Sequence, residues 1–138
     1  MDPASLLMCM VVGITDGDTL TARCDHRTIK VRLAEIDAPE KGQAWGKRSK
    51  QHLSDICFEK QAEVHPQTTD RYGRTVARVI CDGVDSNAEQ VRAGMAWVFD
   101  KYVTDRSLYA AQDAARETRR GLWSDLEPMS PWEWRKAR

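Results

Sequence analysis

The sequence predicts an α+β domain built around a small antiparallel β-barrel. Its 138 residues fit one compact unit, long enough to bury a core without help from a metal or a disulfide. Its element pattern reads three strands, a helix, two strands and two helices. Meandering strands followed by helices are the signature of an α+β arrangement. Turn dipeptides separate the strands at short intervals, which favours hairpins over long crossovers.

Residues 7–15 are rich in Val, Met and Ile and form the first strand. Asp16-Gly17 supplies a tight turn, because glycine tolerates positive φ, and residues 19–24 resume as the second strand. Asp25-His26-Arg27 reverses the chain again. A third strand is expected over 28–36, with Ile29, Val31 and Leu33 alternating against Lys30 and Arg32. A glycine-bearing loop at 41–46 leads to a helix over 47–57. Residues 62–64 form a short strand that Pro66 ends, and 75–81 form a clearer one closed by Asp82-Gly83. Ser86-Asn87-Ala88-Glu89 reads as a capping box opening a helix that Gly94 ends. Residues 97–102 form an aromatic connector, and a last helix runs from about 108 to 120 with Gly121 as its stop. The domain is expected over 1–124. The tail 125–138, with Trp132 and Trp134 among charges, is expected to lie on it as an extended strap.

Lys plus Arg and Asp plus Glu both total 21, which excludes a uniformly basic nucleic-acid coat but not a local basic site beside acidic ligands. The apolar run 6–14 is too short to span a bilayer and lacks a basic leader and a cleavage site, so it reads as a strand and no membrane association is expected. Cys9, Cys24, Cys57 and Cys81 form no zinc-type cluster. Buried free thiols and two disulfides both stay open. If Thr15 and Asp18 flank the first turn, Cys9 falls opposite Cys24. The helix end at Cys57 and the strand end at Cys81 could likewise meet.

The residues that carry chemistry are Asp16, Asp18, Arg32, Asp37, Glu40, Asp70, Arg71 and Arg74. Asp18 and Asp37 stand either side of the reversal near His26, so two antiparallel strands bring both to one end of the sheet. Hard oxygen donors from two strand ends suit Ca²⁺ or Mg²⁺. Crowding Asp18, Asp37 and Glu40 around no cation raises some of their pKa values. Arg32 and Asp37 differ by an odd number of positions, so a regular strand would point them to opposite faces. The reading therefore needs a break or bulge near Glu35–Ile36, which Pro39 helps to enforce. His26, His52 and His65 have no nucleophile partner at a recognised spacing, which disfavours a histidine- or serine-based hydrolase.

Taken in order, Asp16-Gly17-Asp18-Thr19, then Val31 to Glu40 (VRLAEIDAPE), then Thr69 to Arg74 (TDRYGR) resemble the staphylococcal nuclease (thermonuclease-like) family. Val91 to Ala96 (VRAGMA) and Gly121-Leu122-Trp123-Ser124 agree with it, so the resemblance covers roughly residues 8–124. It implies a five-stranded antiparallel OB-fold barrel with three helices, and Ca²⁺-dependent hydrolysis of DNA and RNA leaving 3′-phosphate and 5′-hydroxyl ends. By position it implies that Asp18, Asp37 and the Ala38 carbonyl hold calcium. Glu40 would orient or deprotonate water, and Arg32 and Arg74 would grip the scissile phosphate. Arg71 and Tyr72 would contact a neighbouring phosphate, and Tyr102 would line the nucleotide pocket. Ala38 stands where the family often has Thr, the 41–46 loop is short, and Asp100 replaces a common aromatic. A secreted or periplasmic monomer is expected.

Two other readings compete. One is a catalytically weak or inactive OB-fold module that binds single-stranded nucleic acid. Retention of Asp18, Arg32, Asp37, Glu40 and Arg74 argues against it, since a pure binder has no use for acids that repel phosphate. The other is an interaction scaffold using Trp97, Trp132 and Trp134 as anchors.

Overall fold

The computed structural model describes residues 5–138. Strands β1 (Leu7–Asp16), β2 (Thr19–Cys24) and β3 (Arg27–Leu33) form a meander, followed by the two-residue β4 (Ile36–Asp37) and helix α1 (Gly46–Cys57). Then come β5 (Gln61–Thr69), β6 (Thr75–Cys81), β7 (Val84–Asp85), α2 (Ser86–Arg92), β8 (Trp97–Val98) and α3 (Ser107–Glu117). A 3₁₀ turn at Gly121–Ser124 and a terminal helix α4 (Pro131–Ala137) complete the chain. The main sheet runs β3-β2-β1-β5-β6-β7, and pairing of β3 with β6 closes β1, β2, β3, β5 and β6 into a five-stranded barrel. That closing pair is parallel, with Val31 beside Thr75 and Arg32 beside Val76. The barrel is therefore mixed, not wholly antiparallel as expected.

The interior is filled by alternate residues of every barrel strand. Val11, Leu20, Val31, Leu33, Val64, Ala77 and Val79 are buried, and Leu53 of α1, Val91 of α2 and Leu108 of α3 pack on them. Cys9–Cys24 and Cys57–Cys81 are both disulfide-bonded. The first pairing follows from a register that differs from the expected one. Asp16 and Thr19, not Thr15 and Asp18, flank the turn, and β1 then absorbs register shifts between Val11 and Gly13 and between Ile14 and Asp16. The two shifts together restore the alignment at Met10 and Arg23, next to the cysteines. Irregularities of this kind at a strand end twist the strand and re-aim its last side chains.

Other expectations are corrected by local chemistry. β5 continues through Pro66 to Thr69, because the missing N–H falls at a register shift between Pro66 and Thr68. Asp85, not Ser86, caps α2: its carboxylate accepts from Ala88 N at 3.1 Å. Ser86 is the first helical residue, its hydroxyl donating to the Val79 carbonyl at 2.8 Å, and Glu89 pairs with Arg92. The tail is a fourth helix, not an extended strap. Ser130 caps it, its hydroxyl oxygen accepting from the Glu133 N–H at 3.3 Å and donating to the Glu133 carboxylate at 2.7 Å, and Pro131 opens it with no N–H to satisfy. The tryptophans serve the protein's own packing: Trp97 meets Trp123 at 4.5 Å and Trp132 at 5.6 Å, and Trp132 stacks on Phe99 at 5.4 Å.

Candidate active site

The β1–β2 turn is pressed onto the helices below it. A side chain at Gly17 would collide with Ser49 and with the Ala38 Cβ, so only glycine fits. The fully buried Gln90 donates to the Gly17 carbonyl at 2.7 Å and to the Ser49 carbonyl at 3.1 Å, tying this turn to α1 and α2. Asp18 is thereby fixed at the mouth of the barrel. β3 ends at Leu33, earlier than expected, and Ala34–Glu35 make a turn in which Glu35 has φ 70°. This left-handed residue resolves the parity problem. It returns the chain so that Asp37, on β4, lies on the same side as Arg32.

The result is a compact cluster. Arg32 spreads its fork across both acids, Nη1 3.3 Å from Asp18 Oδ2 and Nη2 3.4 Å from Asp37 Oδ1. Asp18 is 6% exposed and Asp37 1%. The Ala38 N–H donates to Asp18 Oδ2 at 2.7 Å, which locks the two acidic segments together. Glu40 follows in a loop, its side chain 30% exposed. A residue from the far end of the chain joins them. Arg135 of α4 places Nη2 2.7 Å from Asp37 Oδ2 and Nη1 2.6 Å from Glu40 Oε1.

The charges in this cluster are unequal. Burial pushes the Asp37 carboxyl above its ordinary value, Asp18 adds to the rise, and Arg135 and Arg32 oppose it. Burial also acts on Asp18, but Arg32 and hydrogen bonds from Asp16, Ala38 and Thr19 outweigh it and hold that carboxyl low. Asp16 rises to about 7 through burial and the charge of Asp18. One carboxyl of the Asp16–Asp18 pair thus keeps its proton near neutrality, as expected of like charges at close range.

Arg74 stands one residue before β6, whose parallel pairing with β3 brings it alongside the strand of Arg32. Its guanidinium pairs with Asp70, Nε to Oδ2 at 2.7 Å, and makes no ion pair with Asp18, Asp37 or Glu40. Arg71 and Arg74 both stack near the exposed Tyr72 ring, at 4.9 and 5.6 Å from its centroid. Tyr102 is also exposed and packs edge-on against Phe99. Arg71, Tyr72 and Tyr102 are thus solvent-facing, and none bonds to Asp18, Asp37 or Glu40.

Among the described residues, no group of three or more His, Cys, Asp or Glu side chains is arranged to hold a metal ion. The donor chemistry of the buried pair nonetheless fits a hard dication: Asp18 and Asp37 offer carboxylate oxygens side by side, their negative charge met here by the Arg32 and Arg135 guanidiniums.

The model for staphylococcal nuclease homologues matches residues 30–125. The chain belongs to the staphylococcal nuclease family. It is 46% identical over 129 residues to an uncharacterized endonuclease of Haemophilus influenzae, covering 93% of this chain and 72% of that protein. It is 43% identical over 138 residues to a micrococcal nuclease of Shigella flexneri, covering 92% of this chain and 79% of that one. A protein of Escherichia coli named ParB is 39% identical over 137 residues, covering 91% of this chain and 77% of that protein.

Two features of this staphylococcal nuclease homologue escaped the sequence. An extended tail gives Arg135 no fixed place, and the signal for the helix that places it is Ser130-Pro131-Trp132-Glu133 itself. Glu35 sits inside a motif whose other members attract attention. Its carboxylate accepts from Thr104 N, Thr104 Oγ1 and Asp105 N at 2.6 to 2.8 Å, and from Gln67 Nε2 at 3.0 Å. It fastens the connection after β8 to the β3–β4 turn.

Proposed function

We propose that the protein is a Ca²⁺-dependent nuclease that hydrolyses phosphodiester bonds of DNA and RNA to 3′-phosphate and 5′-hydroxyl ends. The observation that carries this reading is the single Arg32 fork spanning Asp18 and Asp37, with Glu40 brought to the same cluster. Family membership and relatives named as nucleases support it.

Asp18, Asp37 and the Ala38 carbonyl would hold the cation, which when bound supplies charge neutralisation and Lewis acidity at a phosphate oxygen. Glu40 orients a water and accepts its proton as the water oxygen bonds to phosphorus. The bond from phosphorus to the 5′ oxygen breaks, that oxygen takes up a proton from solvent and leaves as a hydroxyl, and Glu40 returns its proton to solvent. Arg32 donates to the oxygens on which charge accumulates, a task suited to a planar fork. Arg74, at the edge of the same strand pair, joins it on exchanging Asp70 for phosphate. Arg71 and Tyr72 hold a neighbouring phosphate, and Tyr102 borders the nucleotide pocket. Action as a monomer is part of the proposal, since the cluster of Asp18, Arg32, Asp37, Glu40 and Arg135 needs no second copy to form. Two disulfides support a secreted or periplasmic location, where they persist.

The test is digestion of plasmid and single-stranded substrates with Ca²⁺, with Mg²⁺ and with chelator, followed by end-group analysis. Cutting that requires Ca²⁺ and leaves 3′-phosphates is the expected result; undiminished cutting in excess chelator contradicts it. The reading as a non-cutting strand-binding module draws on one observation, the engagement of Arg74 by Asp70. Retention of intact strands under all three conditions would favour it.

A further inference from the structure

We propose that Arg135 of the C-terminal helix is a positioning residue of the active site, holding Glu40 in register with Asp37. The proposal rests on the roles given above to those two acids. One guanidinium spans both. Nη2 meets Asp37 Oδ2 at 2.7 Å, and Nη1 meets Glu40 Oε1 at 2.6 Å and Asp37 Oδ1 at 3.3 Å. A planar fork fixes direction as well as distance. Glu40 needs such a tie, because it lies in a loop after Pro39 and its side chain is partly exposed. An unheld carboxylate there samples several rotamers, few of them aimed at an attacking water.

α4 is anchored independently of the acids it serves. Ser130, the N-cap, is fully buried, and Trp132 stacks on Phe99 and meets Trp97 edge-on. Gln43 adds a second tie. It donates to the Met129 carbonyl at 2.8 Å and accepts from the Glu40 backbone N–H at 3.0 Å, so the approach to α4 grips Glu40 at its backbone as well. A helix held this firmly acts as a fixed wall of the site. The contacts also leave working room. Among the described residues Glu40 Oε2 makes no hydrogen bond, and the arginines use three of the roughly four lone-pair directions of Asp37.

The experiment compares wild type, Glu40→Gln, Arg135→Gln, Arg135→Lys and Lys136→Gln in steady-state cleavage of one oligonucleotide, with Ca²⁺ binding measured by calorimetry. Arg135→Gln is expected to lower kcat on the order of 10²-fold with KM unchanged and Ca²⁺ binding retained. Arg135→Lys, which keeps the charge but cannot bridge both acids, is expected to recover only part of the rate. Lys136→Gln removes an exposed charge from the same helix and is expected to leave kcat unchanged. An unchanged or raised kcat in Arg135→Gln, a loss confined to KM, loss of Ca²⁺ binding, or full recovery by lysine would each overturn the proposal. If Arg135→Gln does not fold, the lysine variant decides it by the same criteria. Wild type that fails to cut overturns the nuclease reading instead, a result distinct from a cutting wild type matched by Arg135→Gln.

Discussion

Glu35 and Asp37 are two residues apart in sequence, 5% and 1% exposed, and their surroundings differ in kind. Glu35 accepts hydrogen bonds from neutral donors only, two backbone N–H groups, a hydroxyl and an amide, with the Arg78 guanidinium farther off, Nη1 3.6 Å from Oε2. Burial alone would raise its carboxyl, but these donors hold it down at about 2. Asp37 is met by two guanidiniums, Arg32 from the neighbouring β3 and Arg135 from the distant α4, and burial still keeps its carboxyl above the ordinary value. A carboxylate saturated by fixed neutral dipoles is a structural knot. A carboxylate paired with guanidiniums next to another acid keeps charge that a cationic ligand can use. The turn at Ala34–Glu35 divides one motif between these two uses.

The largest expected effect is on turnover at the reactive cluster. Glu40→Ala should reduce kcat by roughly 10²–10³-fold, since it removes the carboxylate proposed to orient water while its partly exposed position spares the fold. Circular dichroism beside cleavage kinetics checks both halves. Next is reduction of the disulfides, which close loops of sequence separation 15 and 24 and should each contribute about 3 kcal/mol on the chain-entropy account. Urea denaturation with and without reductant measures this. Glu35→Gln should cost about 2 kcal/mol through lost charge-assisted bonds, with the turnover of the folded fraction kept.

The smallest effects are in pH dependence, and they have opposite signs. Glu35 is lowered from 4.5 to about 2, so its contribution to stability is present above 4.5 and is lost as pH falls toward 2. Asp16 is raised from 3.8 to about 7, so the folded state retains a proton that the unfolded chain releases, and stability is lost as pH rises from 3.8 to about 7. Asp16→Asn should therefore stabilise the cation-free protein at pH 8 on the order of 1 kcal/mol, allowing for solvent screening, and leave it unchanged near pH 3. Thermal melts across that range in chelator test both signs.

Much of this division is readable from residue types, and the remainder depends on contacts far apart in sequence. Hairpin dipeptides and alternation place β1, β2, β3 and β6, because turn chemistry and side-chain period are local. The need for a break before Asp37 is likewise visible in the parity of Arg32 and Asp37. The parallel β3–β6 closure is not, since nothing local specifies which edge strands meet. Pro66 misleads because a register shift absorbs its missing donor. Arg135 lies 95 residues from Glu40, and only the docked α4 brings it there. The pairing of Arg74 with Asp70 is also a matter of side-chain choice within a loop.

Calorimetric titration of Ca²⁺ into wild type, Asp37→Asn and Glu35→Gln separates the two carboxylates most directly. Wild type and Glu35→Gln should each take up one ion, and Asp37→Asn should take up none. Uptake that survives in Asp37→Asn, or that disappears in a folded Glu35→Gln, would place the cation elsewhere and contradict the assignment.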